Sequence, residues 1–305
     1  MSAPPPLTAP GGRGTVLVTG AGGRLGGRLA VVLASRFRTV AGVRRASAPS
    51  GVPTLALDLT RPGSIEEALE VIGARAVVHC AALADADACE RDPNLAHRLN
   101  VTVCETLARA CAARGVRLIS VSTDQVFDGG QPFWREDDPT RAESVYGRTK
   151  RKGEQAILDL CPQSSVVRVA LLTGRVHGRH PSASESIAWA LREGRPLRLF
   201  TDQYRTAVDP ESVAQAIAAL LSRTVEGVFH LGGPERLSRY ELGVRVAALL
   251  GLDSRRIEAV RQSDLVFDAP RAADASLDSS HARATLAWEP RPMNEAIRSG
   301  RPQPD

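Results

Sequence analysis

The stretch TVLVTGAGGRLGG, residues 15–27, decides how this chain of 305 residues folds. Its first half is a β-branched apolar run that ends in glycine, which is typical of a strand buried on both faces of a parallel sheet. A segment with helical periodicity follows, and its apolar residues share one face: Leu25, Leu29, Val32 and Leu33. The stretch therefore predicts a strand, a tight glycine turn and a helix in succession.

The same alternation continues along the chain. Segments of helical periodicity lie at residues 94–113, 146–160 and 211–222. The further predicted strands are residues 39–43, 54–58, 76–82, 117–122, 165–170 and 227–233. Strands that alternate with helices form a doubly wound parallel sheet. The predicted fold class is therefore α/β, of the Rossmann type, with a smaller C-terminal substrate-binding cap.

The sequence predicts three parts. Residues 1–14 are rich in Pro, Ala and Gly, lack a signal-peptide core, and are expected to form a disordered tail. Residues 15–172 and 203–232 carry the strand–helix alternation and are expected to form a nucleotide-binding domain. Residues 173–202 and 233–299 are less regular and are expected to form the substrate-binding part.

Composition and charge limit the partners of this chain. The net charge is +5, but the arginines are scattered and form no basic run, which argues against nucleic acid. The five cysteines show no spacing typical of a metal site, so we expect reduced thiols, no bound metal and a cytoplasmic location. No apolar run reaches the roughly 18 residues that a membrane span needs.

Three glycines lie between the predicted first strand and first helix. Gly20, Gly23 and Gly26 are each three residues apart. Glycines at such a turn let backbone amides approach a pyrophosphate, whose charge the helix N-terminus favours. Because the turn directly follows the first strand, it predicts a site for a dinucleotide cofactor.

The end of the predicted second strand indicates which dinucleotide binds. Domains that bind NAD usually place a carboxylate there to hold the ribose 2′-hydroxyl. This chain has Arg44 and Arg45 instead. Guanidinium groups suit a 2′-phosphate by their charge and by their bidentate geometry. We therefore expect NADP(H) rather than NAD(H).

A tyrosine and a lysine lie four residues apart on one predicted helix. Lys150 and Lys152 are the only lysines among 39 basic residues, and Tyr146 shares a helix face with Lys150. Reduction of a ketone by hydride transfer leaves an alkoxide that needs a proton, and a free tyrosine has a pKa of about 10. A neighbouring ammonium lowers that pKa. The pair therefore predicts proton transfer by Tyr146, whereas Lys152 is expected to be a solvated charge.

Other polar residues fall at the ends of predicted strands. Ser122 and Thr123 follow the strand at 117–122, at the carboxyl edge where ligands bind in such folds. We expect a hydroxyl there to polarise the substrate carbonyl. His79 and His230 lie in or at the ends of apolar strands, and we expect both to be packed or hydrogen-bonded rather than to bind a ligand.

Three stretches together resemble the dTDP-4-dehydrorhamnose reductase group of the extended short-chain dehydrogenase/reductases. They are VSTDQVFDG (121–129), VYGRTKRKGE (145–154) and AALADADACERDPNLAHRLN (81–100). The resemblance runs from about residue 15 to residue 290. It implies a Rossmann-type enzyme that uses NADPH to reduce a keto group, with a nucleotide-activated 4-keto-6-deoxy sugar as the substrate.

The resemblance also implies roles for the matched residues. Tyr146 would donate the proton, Thr123 would bond the carbonyl oxygen, and Lys150 would tune Tyr146 and hold the cofactor ribose. The cofactor would contact residues of the glycine turn and of the following strand ends. These residues are Gly20, Gly23, Arg24, Leu25, Gly26, Asp58, Leu59, Ala81, Ala82 and Asn100.

The residues after Thr123 separate two reaction types. Related sugar-nucleotide dehydratases have Thr-Asp-Glu there and use the acid pair to eliminate water, whereas this chain has Asp124 and Gln125. An amide cannot act as that acid, so the resemblance implies reduction, with both residues beside the substrate. Arg205 and Arg271, in the expected substrate part, are candidates for binding an anionic substrate.

One departure from the group leaves the substrate open. The group follows its sixth strand with Arg-Thr-Ser-Trp, and this chain has Arg168 to Leu171 without the aromatic residue. A keto substrate without a nucleotide is a second interpretation. A third is an NADP-binding regulatory subunit, because the β subunit of methionine adenosyltransferase resembles the same group. A homodimer is compatible with every one of these interpretations.

Overall fold

The computed structural model describes residues 14–44, 49–178 and 180–300. Residues 1–13 of the predicted tail and Arg45 lie outside these residues. Seven parallel strands form the central sheet in the order β3-β2-β1-β4-β5-β6-β9. The strands of the described chain are β1 (Thr15–Thr19), β2 (Arg38–Val43), β3 (Thr54–Ala56), β4 (Ala74–His79), β5 (Arg117–Thr123), β6 (Ser165–Val169), β7 (Leu197–Phe200), β8 (Tyr204–Arg205), β9 (Gly227–Leu231), β10 (Leu237–Ser238) and β11 (Ile257–Val260).

Helices connect the strands and cover both faces of the sheet. They are α1 (Arg24–Ala34), α2 (Ser64–Val71), α3 (Ala86–Arg91), α4 (Pro93–His97), α5 (Val103–Arg114), α6 (Val145–Leu160), α7 (Ala183–Arg192), α8 (Pro210–Ser222), α9 (Arg239–Leu250), α10 (Ser280–Leu286) and α11 (Met293–Arg298). The doubly wound α/β fold is confirmed. No helix in the part of the chain that the structure describes is long and apolar enough to span a bilayer.

The apolar runs of the sequence form the core on both faces of the sheet. Successive side chains of a strand point to opposite faces, so Val16 and Val18 of β1 join one apolar cluster and Leu17 joins the other. All five residues of β1 are buried. The chain order reverses between β1 and β4, and in open α/β sheets ligands bind at such a switch point, beyond the carboxyl ends of the strands.

A third apolar cluster lies beside the sheet domain and forms the core of a second body. It joins α7, α9 and β11 through side chains such as Ile187, Leu242 and Ile257. Two small sheets accompany it: β7 pairs with β11 in parallel, and β8 pairs with β10 antiparallel. The segment 233–299 contributes to both bodies, because Leu277 and Trp288 pack into a core of the central sheet.

The predicted helix at 94–113 has a break in its middle. The helices α4 and α5 are joined by a π-helical turn at Arg98–Thr102. Turns of this kind appear frequently at functional sites. Here the turn carries Asn100, whose side chain accepts a hydrogen bond from the Leu83 amide (2.9 Å) and donates to Thr149 Oγ1 (3.1 Å). Asn100 therefore ties the loop after β4 to α6.

Candidate active site

A cleft runs along the carboxyl edge of the central sheet. Its β3 side has an empty volume of about 820 Å³ and is lined by the ends of β1 to β4. Its β6 side has an empty volume of about 1510 Å³ and extends past the ends of β5 and β6 toward α7 and α9. Both sides share Gly20, Gly23, Cys80 and Ala82. The predicted sites for a cofactor and a substrate therefore lie in one continuous cleft.

The glycine turn has no space for side chains. Gly20 has a φ of +66°, and a Cβ on it would lie 2.6 Å from the Ala81 amide nitrogen. A Cβ on Gly26 would lie 2.5 Å from the Gly20 carbonyl oxygen. The turn therefore packs directly against the end of β4 and the start of α1, and backbone lines this part of the cleft. This is the arrangement that a pyrophosphate needs for close approach.

The β3 side of the cleft brings together the residues predicted for the adenosine end of a dinucleotide. Asp58 and Leu59 follow β3, and Ala81 and Ala82 follow β4; all four line this side. Arg44, at the end of β2, lines it as well and is exposed. A positive charge at this strand end agrees with the prediction of a phosphate-bearing ribose.

The predicted catalytic residues converge on the β6 side. Thr123, Tyr146 and Lys150 line it together with Ser122, whose buried hydroxyl has no hydrogen-bond partner among the described residues. Burial raises the pKa of Tyr146 above its ordinary value, and a hydrogen bond with Thr123 acts in the opposite direction. Tyr146 is therefore a neutral phenol that holds its proton.

Lys150 bonds to β5 and acts on groups at the end of β4. Its ammonium donates a hydrogen bond to the Val121 carbonyl at 2.8 Å. The charge of Lys150 opposes the rise that burial causes in the pKa of Cys80, at the end of β4. Its position at the strand ends agrees with a role in holding a ligand, and the tuning of Tyr146 by Lys150 stays a prediction.

The triplet after β5 forms a small hydrogen-bonded unit. Thr123 Oγ1 donates to Asp124 Oδ1 at 3.1 Å and accepts from the Gln125 amide at 3.2 Å. Arg205 Nε lies 3.3 Å from Asp124 Oδ2. The other Arg205 nitrogens donate to the carbonyls of Tyr204 and Ala272, at 2.6 and 3.1 Å. Arg205 therefore lines the cleft as predicted, but its donors hold the protein together.

Asn100 and Arg271 make their contacts within the protein. Neither lines the cleft among the described residues. Asn100 stands behind it, bonded to Leu83 and Thr149. Arg271 Nη2 lies 2.6 Å from Asp87 Oδ2, and its guanidinium lies 5.1 Å from the centre of the Phe267 ring. This ion pair satisfies the charge of Arg271. It also ties the segment before Asp274 to α3, which carries Asp87.

Sequence reasoning missed residues that line the β6 side from the second body. They come from the segment after β6 and from α9: Leu171, His177, Ser182, Ser186 and Arg239. The His177 amide donates to the Arg24 carbonyl at 2.9 Å, so this segment crosses the glycine turn. A Cβ on Gly27 would lie 2.2 Å from the His177 ring, so this close crossing requires glycine at position 27. The consecutive glycines 26 and 27 were therefore the sequence signal that another segment packs against the start of α1.

The two histidines at strand ends are structural. His79 Nδ1 lies 2.8 Å from Thr19 Oγ1, and burial lowers its pKa to about 3. Burial also lowers the pKa of His230 to about 3, and its ring nitrogens contact Arg168 and the Trp134 carbonyl. Both are neutral at physiological pH. Among the described residues, no group of His, Cys, Asp or Glu side chains could hold a metal ion.

Comparisons with known proteins agree with this geometry. A probable low-salt glycan biosynthesis reductase of Haloferax volcanii is 31% identical over 88% of this chain and 91% of its own length. The dTDP-4-dehydrorhamnose reductase of Mycobacterium tuberculosis is 32% identical over 87% of this chain and 84% of its own. The methionine adenosyltransferase 2 subunit beta of Danio rerio is 33% identical over 73% of this chain and 70% of its own.

Solved structures share the fold along nearly the whole chain. The dTDP-4-dehydrorhamnose reductase of Bacillus anthracis, solved in complex with NADP, superposes with a TM-score of 0.83 at 20% identity, covering 93% of this chain and 97% of its own. The sequence model of the family described as RmlD substrate binding domain matches residues 14–300. The chain therefore belongs to the RmlD substrate binding domain family, within the extended short-chain dehydrogenase/reductases.

Proposed function

We propose that this protein is an NADPH-dependent reductase of a keto group on a nucleotide-activated sugar, with a 4-keto-6-deoxy sugar as the first candidate substrate. The observation that carries the proposal is the convergence of Thr123, Tyr146 and Lys150 on one side of the cleft. Two relatives that align with most of this chain are named as reductases. The protein is accordingly an oxidoreductase.

The described residues fit NADP(H). The glycine turn fits a pyrophosphate because Gly20, Gly23 and Gly26 line the cleft at the start of α1, where main-chain amides can approach the ligand. Arg44 provides a positive charge at the end of β2, where a 2′-phosphate needs one. Asp58 and Leu59 flank the adenosine end of the cleft. Lys150, at the ends of β4 and β5, would hold the ribose nearer the reacting carbon.

The side chains on the β6 side have separate roles in the reduction. NADPH, when bound, supplies the hydride to the carbonyl carbon. Tyr146 is buried and protonated, so it can give its proton to the oxygen that becomes negative. Thr123 Oγ1 donates its one proton to Asp124 and accepts from the Gln125 amide, and it would turn that proton toward the substrate oxygen when the substrate binds. Gln125 is uncharged, so the site lacks the acid pair for dehydration.

The second body supplies the other wall of the substrate site. Residues of the segment after β6 and of α9 face the catalytic residues across the cleft. Leu171 stands where the reductase group has its tryptophan, so this wall is aliphatic rather than aromatic at that point. We infer that residues 173–202 and 233–274 hold the substrate while the sheet domain holds the cofactor.

Turnover tests the proposal directly. NADPH consumption is measured with dTDP-4-keto-6-deoxy sugars, for the unchanged protein and for Tyr146→Phe. Removal of the proton donor should lower kcat by roughly 10²- to 10⁴-fold and leave the affinity for NADPH unchanged. Tyr240→Phe removes the same oxygen from a tyrosine outside the cleft and should retain full activity.

Two results would contradict the proposal. If NADPH binds but no keto sugar nucleotide is reduced, the sugar-nucleotide assignment fails, and keto compounds without a nucleotide are tested next. If no keto compound is reduced, and NADPH instead promotes binding to a methionine adenosyltransferase catalytic subunit, the protein is a regulatory subunit like the relative from Danio rerio.

A further inference from the structure

One cation on the β6 side of the cleft has no partner among the described residues. Arg239 is the first residue of α9 and lines the β6 side of the cleft, where it is partly exposed. In the described part of the chain its guanidinium makes no hydrogen bond and no ion pair. The neighbouring arginines differ, because Arg236 pairs with Asp274 and Arg271 pairs with Asp87.

The charges beside Arg239 leave a net positive charge. Its electrostatic neighbours are Arg205 and Asp124. Asp124 Oδ1 accepts from Thr123, and Asp124 Oδ2 lies 3.3 Å from Arg205 Nε as an ion pair without a hydrogen bond. The three side chains carry two positive charges and one negative charge, which sum to +1. This part of the cleft therefore attracts a negatively charged group.

The position of Arg239 is unfavourable without a ligand. Burial and the charge of Arg205 together lower its pKa to about 10. Arg239 also stands in the first turn of a helix of twelve residues, where the helix dipole disfavours a cation. A bound anion would reverse both effects, because it pairs with the guanidinium and favours the helix N-terminus. A packing role for Arg239 explains neither its accessibility nor its lack of partners.

The unpaired group also lies close to the reacting atoms. Arg239 and Tyr146 line the same side of the cleft. Asp124, which is an electrostatic neighbour of Arg239, accepts the hydrogen bond of Thr123. An anion on Arg239 therefore belongs to the substrate molecule whose carbonyl meets Thr123 and Tyr146, rather than to a separate ligand.

We propose that Arg239 binds an anionic oxygen group of the keto substrate, a carboxylate or a phosphate, and thereby selects charged substrates. Arg205 acts as a positioning residue that keeps Asp124 and Thr123 in place beside it. The inference rests on the proposed function, since it names the chemical class of the substrate in the same site. A guanidinium presents two parallel N–H donors, which match either anion.

The test is calorimetric binding to the NADP⁺-loaded protein, and it needs no turnover. The probes are dTDP, which carries phosphates without the hexose, glucuronate, which carries a carboxylate without a phosphate, and thymidine, which is uncharged. Arg239→Gln should weaken the binding of dTDP or of glucuronate by roughly tenfold to a hundredfold. The probe that responds identifies the anion.

Two further variants distinguish bidentate recognition of the anion by Arg239 from a general effect of positive charge. Arg239→Lys keeps the charge but loses the bidentate geometry, so it should recover only part of the affinity. Arg192→Gln removes the same charge from an exposed position on α7 and should bind every probe as the unchanged protein does. NADP⁺ and thymidine should show the same affinity in all variants.

The outcomes distinguish this inference from the proposed reaction. If neither anion binds the unchanged protein, or if Arg239→Gln binds both as well as the unchanged protein does, the inference is overturned. If an anion binds through Arg239 and no keto substrate is turned over, the inference stands and the proposed reaction fails. Where turnover is found, Arg239→Gln should raise KM at least about tenfold and change kcat far less, whereas Tyr146→Phe should do the reverse.

Discussion

The two sides of the cleft are built in different ways. On the β3 side, the glycine turn between β1 and α1 brings backbone against the end of β4, at positions where a side chain would collide with the main chain. The β6 side is made of side chains that come from β5, α6, the segment after β6, and α9. A site made of backbone can accept one shape of ligand, whereas a site made of side chains can change its substrate through single substitutions.

An arginine in the core of the sheet domain and an arginine in the cleft differ in their partners. Inside the sheet domain, Arg168 is buried and fully paired, with Glu154 Oε2 at 2.9 Å from its Nη2 and His230 Nε2 at 3.2 Å from its Nη1. On the β6 side, Arg239 faces the cleft without a partner among the described residues. An arginine that is paired within the protein stabilises the fold, whereas an arginine without a protein partner is available to a ligand.

Arg168→Gln tests that difference with the largest expected effect. The change leaves Glu154 buried without its cation, and the loss of one partner from a buried ion pair costs about 3–5 kcal/mol of unfolding free energy. The matched change Arg239→Gln should alter the unfolding free energy by less than about 1 kcal/mol, because no contact within the protein is lost. Urea unfolding of both variants measures the two values, and equal losses would show that Arg239 has a structural role.

Gly20→Ala tests the claim that close backbone approach forms the nucleotide turn. Gly251, the residue after α9, provides the control, since it has a φ of +65° against +66° at Gly20 and no atom within 4 Å of an added Cβ. Gly251→Ala should cost about 1–2 kcal/mol from its left-handed backbone alone. Gly20→Ala should cost about 2 kcal/mol more, because its Cβ meets the Ala81 amide, and it should abolish NADPH binding. If both variants unfold alike and NADPH still binds, the turn has more room than the geometry indicates.

Arg44→Gln is expected to have the smallest effect. Arg44 is exposed, and its predicted contact is a single charge-assisted interaction with the 2′-phosphate. The variant should bind NADPH about tenfold more weakly and NADH with unchanged affinity, which fluorescence titration of the two cofactors measures. Arg36→Gln, an exposed change outside the cleft, serves as the control. Equal weakening for both cofactors would assign Arg44 to another part of the ligand.

Local pattern predicted the elements of the central sheet and the position of the nucleotide turn. The apolar runs of β1 and β5 and the periodicity of α6 were sufficient, because strands buried on both faces and amphipathic helices leave strong signals in sequence. The break at Arg98–Thr102 was missed, since a single π-helical turn is too short to stand out against the apolar periodicity of the helices on either side of it.

The sequence could not show which distant segment an arginine side chain contacts. Arg271 was predicted to meet a substrate, but Asp87 takes its charge across 184 positions of chain. Arg205 was placed correctly in the cleft, yet its donors are occupied by Asp124 and two carbonyls. The partners of an arginine depend on which carboxylates the fold brings near it, and no local pattern records that.

The sequence by itself determined the fold class, the glycine turn, and the spacing that places Tyr146 and Lys150 on one helix face. These depend on neighbours within one strand or one helical turn. The tertiary structure alone decided that Tyr146 is buried and keeps its proton, that Lys150 bonds to Val121, and that Arg239 is left unpaired. Desolvation and charge pairing depend on residues far apart in the chain, so they exist only once the two bodies have folded together.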